Sequence, residues 1–377
     1  MQTKRKNAMR AHPHVLLAGC PVDSPVYSGV QGFAKERSWQ LLVGDPFEAP
    51  GDWRGDGAIL AGGAPSLPDP RAKAVRIGRG SGAEPCVAFD DEATGRLVAS
   101  HYLERCFRHF AFFARRATPE ARLREKGFRS ACAGAGSYRA WFESDAPAAA
   151  KGPAAAAQWL ESEILAAPKP LAVACAGDRD AMLVINACKI RGVALPDDVS
   201  IIGVGNHLPV CERECITLSS VVLDGERIGR EAAALLDAIM SGRSPARPPA
   251  PIAPSGIVSR QSTDVLGADD PDLRRALAYI SRSLHKPFGA AEISSALSIG
   301  RNRLDRLFAT ELGRSVGREI LRQRLARARE LLSTSAKGLD EIAAETGFCN
   351  TSYMIKRFRS ATGLTPLEWR RARKAGV

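Results

Sequence analysis

Long apolar runs are missing from this chain of 377 residues. None approaches the roughly 20 consecutive apolar residues that a membrane-spanning helix needs, which excludes a helical membrane protein. The opening MQTKRKNAMRAHPHVLLAG is basic, but its apolar stretch is short and interrupted by Pro13, unlike a secretory signal. The expected location is therefore the cytoplasm, with no membrane partner. Paired cysteine motifs are missing as well. The nine cysteines are scattered and form no CxxC pair, which argues for reduced thiols rather than a disulfide framework. Cys211 and Cys215 have an i, i+4 spacing that could grip a metal from one helix face. No His or Cys cluster accompanies them in the sequence, so neither a metal nor a cofactor is expected. Enzymatic signatures are lacking too: there is no GxxxxGK[ST] phosphate loop, no HExxH and no GxSxG. No catalytic residue is assigned, and the chain is not expected to be an enzyme.

What is present has the balance of an ordinary globular protein, 45% hydrophobic and 25% charged, and is long enough for two or three domains. The net charge of +12 is unevenly placed. Residues 270–377 hold 21 Lys and Arg against 11 Asp and Glu, whereas residues 1–269 hold 32 against 30. A positive surplus concentrated in the last third is the electrostatic footprint of a nucleic-acid-binding module.

From Val15 to Thr263, short apolar strands alternate with helix-like stretches. HVLLAG, GAILAG, AVRIG, CVAF, HFAFFA, LAVACAG and VSIIGVG are the candidate strands. VYSGVQGFAKERS, EATGRLVASHYLERC, RDAMLVINACKIRG and GERIGREAAALLDAIMSG read as helices between them. This order predicts α/β structure with parallel, doubly wound sheets, and about 250 residues of it predict two lobes around a cleft. DAPAAAKGPAAAA reads as a surface loop leading into a helix, and IVSRQST as the last strand. The expected divisions are a tail at 1–14, the two-lobed domain at 15–263, a linker at 264–271 and an all-α domain at 272–377.

The all-α tail contains a repeat. Leu304, Arg306, Phe308 and Gly313 recur 50 residues later as Met354, Lys356, Phe358 and Gly363. In each copy an apolar i, i+4 pair marks the buried face, and a Gly follows where a left-handed C-cap belongs. A short helix precedes each copy, AAEISSAL in one case and LDEIAAETG in the other. A short helix, a turn and a second helix with a polar outer face form a helix-turn-helix, and GREILRQRLARARELLSTS would join two of them as one long helix.

These segments, above all DEIAAETGFCNTSYMIKRFRSATGLTPLEWRR, resemble the AraC family of DNA-binding domains. The first copy departs mildly, with Ser298 where the turn often has Gly and Gly300 where the N-cap is often Ser. By position in the motif, the resemblance assigns Asn302, Arg303, Asp305 and Arg306 to the first recognition helix, and Thr351, Ser352, Ile355 and Lys356 to the second. Their chemistry suits base edges: Arg for guanine, Asn for adenine, Asp for cytosine, Ile for a thymine methyl. Arg318, Arg322, Arg357 and Arg359 suit phosphate contacts or a solvated surface.

The first 263 residues resemble the periplasmic-binding-protein-like core of LacI-type repressors, without the N-terminal DNA-binding headpiece of those proteins. FDDEATGRLVASHYL, ARLREKGF, AGDRDAMLVINACKIRGVALPDDVSIIGVGN and ITLSSVVLDGERIGREAAALLDAIMSGR carry this likeness. It implies a sugar effector, a pentose such as D-xylose, held by planar polar groups and an aromatic face. The matching positions are Asp23, Phe89, Asp90, Arg124, Asp178 and Asn206. Asp90 and Asp178 are equally placed to cap helices, and Phe89 to serve the core. Where the family carries Asp after VSIIG this chain has Gly205, so a carboxylate that would accept two sugar hydroxyls is absent. Together the two resemblances imply a sugar-responsive regulator with double-stranded DNA as partner, acting as a homodimer, with RNA polymerase as a further partner. The alternative is a sugar-binding protein of transport or chemosensing type.

Overall fold

A computed structural model describes residues 12–44, 53–64, 67, 73–79, 84–145, 152–212, 216–243, 249–268 and 270–374. Most of the expected N-terminal tail, the centre of the Ala/Pro segment and Cys215 lie outside the described residues. The chain forms two compact units: Met1–Glu104 with His109–Asp264, and Arg105–Arg108 with Val265–Val377. The short segment Arg105–Arg108, inside the expected two-lobed domain by sequence, thus belongs to the C-terminal unit.

The first unit contains two sheets. The N-terminal lobe is built on β1 (His14–Ala18), β2 (Gln40–Gly44), β3 (Gly57–Leu60), β4 (Ala74–Ile77) and β5 (Cys86–Val87). They are ordered β2-β1-β3-β4-β5, all parallel. The C-terminal lobe uses β6 (His109–Ala114), β7 (Ser137–Phe142), β8 (Leu171–Cys175), β9 (Val199–Val204), β10 (Ser219–Val222) and β11 (Gly256–Val258). Their order is β11-β10-β9-β8-β6-β7, and only β11 runs antiparallel to its neighbour. β3, β8 and β9 are buried along their whole length. A parallel sheet covered on both faces favours such buried, mainly apolar strands, and helices supply the cover.

Helices α1 (Pro25–Glu36) and α7 (Gly225–Met240) cover the N-terminal lobe. The other lobe is covered by α2 (Asp91–Glu104) and α3 (Pro119–Cys132) on one side. α4 (Pro153–Ala166), α5 (Asp178–Ile190) and the single turn α6 (Leu208–Cys211) complete it. α2 and α3 meet backbone to backbone. A Cβ on Gly95 would lie 2.0 Å from the Arg124 carbonyl, and one on Gly127 2.0 Å from that of Glu92. This close approach sets the first turn of α2 beside Arg124. The chain crosses between lobes at 88–91, 222–225 and 252–256, and the first and third crossings are tied together. Phe89 bridges Ile252, the Asp90 amide donates to the Ile252 carbonyl (2.8 Å), and the Ile252 amide donates to Ala88 (2.9 Å).

In the second unit the described structure beyond Pro271 is helical. It comprises α8 (Pro271–Ser283), α9 (Ala290–Leu297), α10 (Arg301–Leu312), α11 (Val316–Thr334), α12 (Leu339–Glu345), α13 (Thr351–Thr362) and α14 (Pro366–Lys374). Two cores flank α11. Leu273, Leu277, Ile293, Leu304, Phe308 and Ile320 form one, with Cys106 and Ala268 built into it. Leu325, Leu332, Ile342, Met354 and Phe358 form the other.

Candidate functional site: a cleft and a nucleic-acid interface

In open α/β sheets the loops at the carboxyl ends of the strands form the ligand site. In the first unit these loops bring the two lobes together: the Arg79 amide, just past β4, donates to Glu120 Oε1 in the first turn of α3 (2.7 Å). Asp23 lies exposed in the loop before α1, with no hydrogen bond among the described residues. Phe89 is half-buried against the N-terminal core. Asp90 caps α2, its Oδ1 accepting from the Ala93 amide at 2.8 Å.

Arg124 is the most constrained of the expected ligand residues. Its Nε and Nη2 lie 2.7 Å from Asp91 Oδ1, and its Nη1 donates to the Ala176 carbonyl. Three of the five guanidinium N–H groups are therefore directed at the protein, which leaves two for a ligand. Asp91 is buried, and burial raises its pKa even though the Arg124 charge and hydrogen bonds pull the other way. It was not singled out in the sequence, although the doubled acid in FDDEATG signals it. The first Asp, half-buried, serves as the cap, and the second, one residue into the helix, is buried against Arg124. Asp180, in the first turn of α5, is a second such acid. Its pKa is raised by burial against the opposing hydrogen bond and charge of Arg115.

Asp178 and Asn206 hold the end of β9. Asp178 accepts from the Ser220 hydroxyl (2.5 Å) and the His207 amide (2.8 Å), and a Cβ at Gly203 would meet its Oδ1 at 2.3 Å. Both oxygens are engaged within the protein, so its carboxylate acts as an organiser of this strand end. The sequence placed it either as a cap or as a ligand, but Gly177 is the N-cap of α5 and makes no side-chain capping bond. Asn206 has a left-handed backbone, with φ +50°. Its amide donates to Ser220 Oγ (2.9 Å), and its Oδ1 accepts from Arg260 (2.9 Å). Among the described residues no group of three or more His, Cys, Asp or Glu could hold a metal. Cys211 is buried, and burial pushes its thiol up to about 12.

The second unit contains the two helix-turn-helices, α9–α10 and α12–α13. Leu304, Phe308, Met354 and Phe358 are all fully buried, and Gly313 (φ +62°) and Gly363 (φ +77°) are left-handed C-caps. Ser298 takes the left-handed turn position (φ +55°) that Gly347 (φ +69°) fills in the second motif. Asn302, Arg303, Asp305 and Arg306 are exposed on α10. Two of the four are already paired. Arg303 donates to Asp272 (2.8 Å) and Asp270 (3.2 Å), and Asp305 accepts from Arg301 (2.7 Å). Asn302 and Arg306 have no side-chain partner among the described residues. On α13, Ser352, Ile355 and Lys356 line one open hollow with Arg359, Ser360 and Thr365. Thr351 instead donates its hydroxyl to Asp340 of α12.

Of the arginines suited to phosphate, Arg318 is exposed and Arg357 rests on Tyr353, its Nε donating to the phenol at 3.0 Å. Arg322 is turned inward. Together with Arg314 and Gln323 it satisfies the fully buried Glu319. Burial would raise the Glu319 pKa, but the Arg322 hydrogen bonds and charge, with those of its neighbours, outweigh it and hold the carboxyl below its usual range.

Comparison with known proteins agrees with both units. Residues 99–263 match the model of the periplasmic binding protein-like domain, and residues 293–372 that of a helix-turn-helix domain. The xylose operon regulatory protein of Escherichia coli strain K12 is 25% identical over 92% of this chain and 93% of its own length. The chain thus carries a periplasmic-binding-protein-like domain followed by an AraC-type helix-turn-helix domain, which supports a DNA-binding transcription regulator. The regulator is also 26% identical to the xylose operon regulatory protein of Haemophilus influenzae, over 51% of this chain and 50% of that one. It thus spans about half the length of that relative. The solved structure of the xylose-binding transcription activator xylR has the same fold, with a TM-score of 0.59 and 22% identity over 97% of this chain and 99% of that one. No described helix is long and apolar enough to cross a membrane.

Proposed function

We propose that the regulator binds a sugar, a pentose of the D-xylose kind, in the cleft of its first unit and thereby controls DNA binding by its second. The observation that carries this reading is the end-to-end likeness to a xylose operon regulatory protein, together with a periplasmic binding protein-like match followed by a helix-turn-helix match in this chain. Asp23, Asp90, the two remaining Arg124 N–H groups and the face of Phe89 are the groups offered to hydroxyls and a ring; Asn206 and Asp178 shape the opposite wall. Gly205 leaves that wall without the extra carboxylate, so the hydroxyl pattern it favours need not be that of D-xylose alone. Sugar binding favours one lobe arrangement over another, and in a homodimer that arrangement sets the spacing of two DNA-binding units. Promoter DNA is read by Asn302 and Arg306 on α10 and by Ser352, Ile355 and Lys356 on α13, with RNA polymerase as the partner of an activator. Titration calorimetry with D-xylose, L-arabinose, D-ribose and D-glucose tests the effector. The expected result is saturable binding of at least one pentose; heat from none of the four would overturn the sugar reading.

A further inference from the structure

The chain enters the second unit twice, through Arg105–Arg108 and again from Val265. Both connectors grip the same helix. At the C-terminal end of α10, the Arg108 guanidinium donates to the Glu311 carbonyl. Just beyond it, Arg314 reaches Cys106 Sγ at 3.5 Å while also holding the buried Glu319. Near the N-terminal end of α10, Arg303 is held by Asp270 and Asp272, the cap and second residue of α8, where the second connector ends. The connectors are also bound to one another. The Gly267 amide donates to the Arg105 carbonyl (2.9 Å), and a Cβ on Gly267 would lie 2.4 Å from the Phe107 ring. Cys106 and Ala268 complete the core on which Leu304 and Phe308 of α10 sit.

α13 has no such attachment. Among the described residues its side-chain bonds run to Asp340 of α12, within itself and to Leu364 just beyond it, and its core partners come from α11, α12, α14 and Phe348. We infer that the effector signal is delivered to the first helix-turn-helix alone: both connectors set the position of α10 and the availability of Arg303, while α13 keeps a constant hold on DNA. This rests on the sugar-responsive reading above, but the attachment itself can be tested without any sugar. When the connectors hold Asp270 and Asp272 against Arg303, that guanidinium is withheld from phosphate and base. When they shift, it is released.

The test uses the full chain as wild type, Arg108→Gln, and a double variant Asp270→Asn with Asp272→Asn; Asn still caps α8. Amide exchange by mass spectrometry and footprinting on operator DNA read the two helices separately. Without sugar, Arg108→Gln should exchange about tenfold faster across 301–312, as loss of a charge-assisted hydrogen bond implies, and the double variant about twofold to fivefold faster, because its pairs with Arg303 are solvent-exposed; 351–362 should be unchanged in both. The footprint should change over the α10 half-site only. Adding D-xylose to the wild type should alter exchange in 301–312 and not in 351–362. Variants that leave α10 and its half-site unaltered, or that loosen α13 equally, would overturn the inference. Absence of any D-xylose response, with the variants behaving as expected, would count against the sugar and leave the connector attachment supported.

Discussion

Arg124 has a structural role that the structure displays, the pairing with Asp91, beside the ligand role proposed above. Its guanidinium neutralises Asp91, which is 2% exposed, so Arg124→Ala leaves a buried carboxylate without its partner. Breaking a buried pair from one side costs about 3–5 kcal/mol, so the first unit should unfold at a clearly lower temperature. Adding Asp91→Asn to Arg124→Ala should recover part of that loss. D-xylose should raise the melting temperature of the wild type and of neither variant. A single variant that melts like wild type and still responds to sugar would remove Arg124 from both roles. Arg306 offers the matching test on the DNA side, because it is exposed and its side chain has no partner to lose among the described residues. Arg306→Ala should cost about 1–3 kcal/mol of binding and relax preference at one base pair if it reads a base edge. Uniform weakening on every sequence would make it a phosphate contact; binding-site selection from a random pool separates the two.

At the scale of elements, the seven strands read from the sequence correspond to β1, β3, β4, β5, β6, β8 and β9, whose mainly apolar character goes with their burial. The strands that went unread have physical reasons for it. β2 and β7 are edge strands with exposed residues along them, and β10 begins with two buried serines whose hydroxyls bond to Arg260, Thr263 and Asp178. IVSRQST is a strand only to Val258 and then a short 3-10 turn at Gln261–Thr263. The outward faces of α10 and α13 were legible from the helical period, because the buried Leu304, Phe308, Met354 and Phe358 fix which side is inward. That Arg303 and Thr351 would be captured by neighbouring helices was not, since it depends on where Asp270, Asp272 and Asp340 fall in space. The two turns give an element-scale prediction. Ser298 adopts a left-handed conformation that costs a non-glycine residue about 1 kcal/mol, so Ser298→Gly should stabilise the first motif by about that amount. Gly347→Ala should do the reverse and more, since its Cβ would lie 1.9 Å from the Leu284 carbonyl. Chemical denaturation of both variants checks the opposite signs; equal effects would contradict the turn geometry.

Over the whole molecule, charge and architecture separate cleanly. The basic surplus lies beyond residue 270, and the ion pairs found there, such as Glu319 with Arg314 and Arg322, use part of it internally. What remains exposed includes Arg306, Arg318, Lys356, Arg357 and Arg359. A fragment 265–377 should therefore bind operator DNA by itself, with affinity falling steeply as salt rises, since each neutralised phosphate contributes about −0.9 to the slope of log K against log salt. Residues 1–264 should show no such binding. The fragment lacks Arg105–Arg108, however, and with it the Cys106 side chain of the first core and the Arg108 bond to α10. Its second motif should keep full protection of its half-site, while protection by the first should weaken and no longer depend on any effector. Footprints of fragment and full chain across a salt series test this directly. A fragment that protects both half-sites as the full chain does would show the connectors to be ties without influence on α10, and DNA binding by residues 1–264 would overturn the division of labour itself.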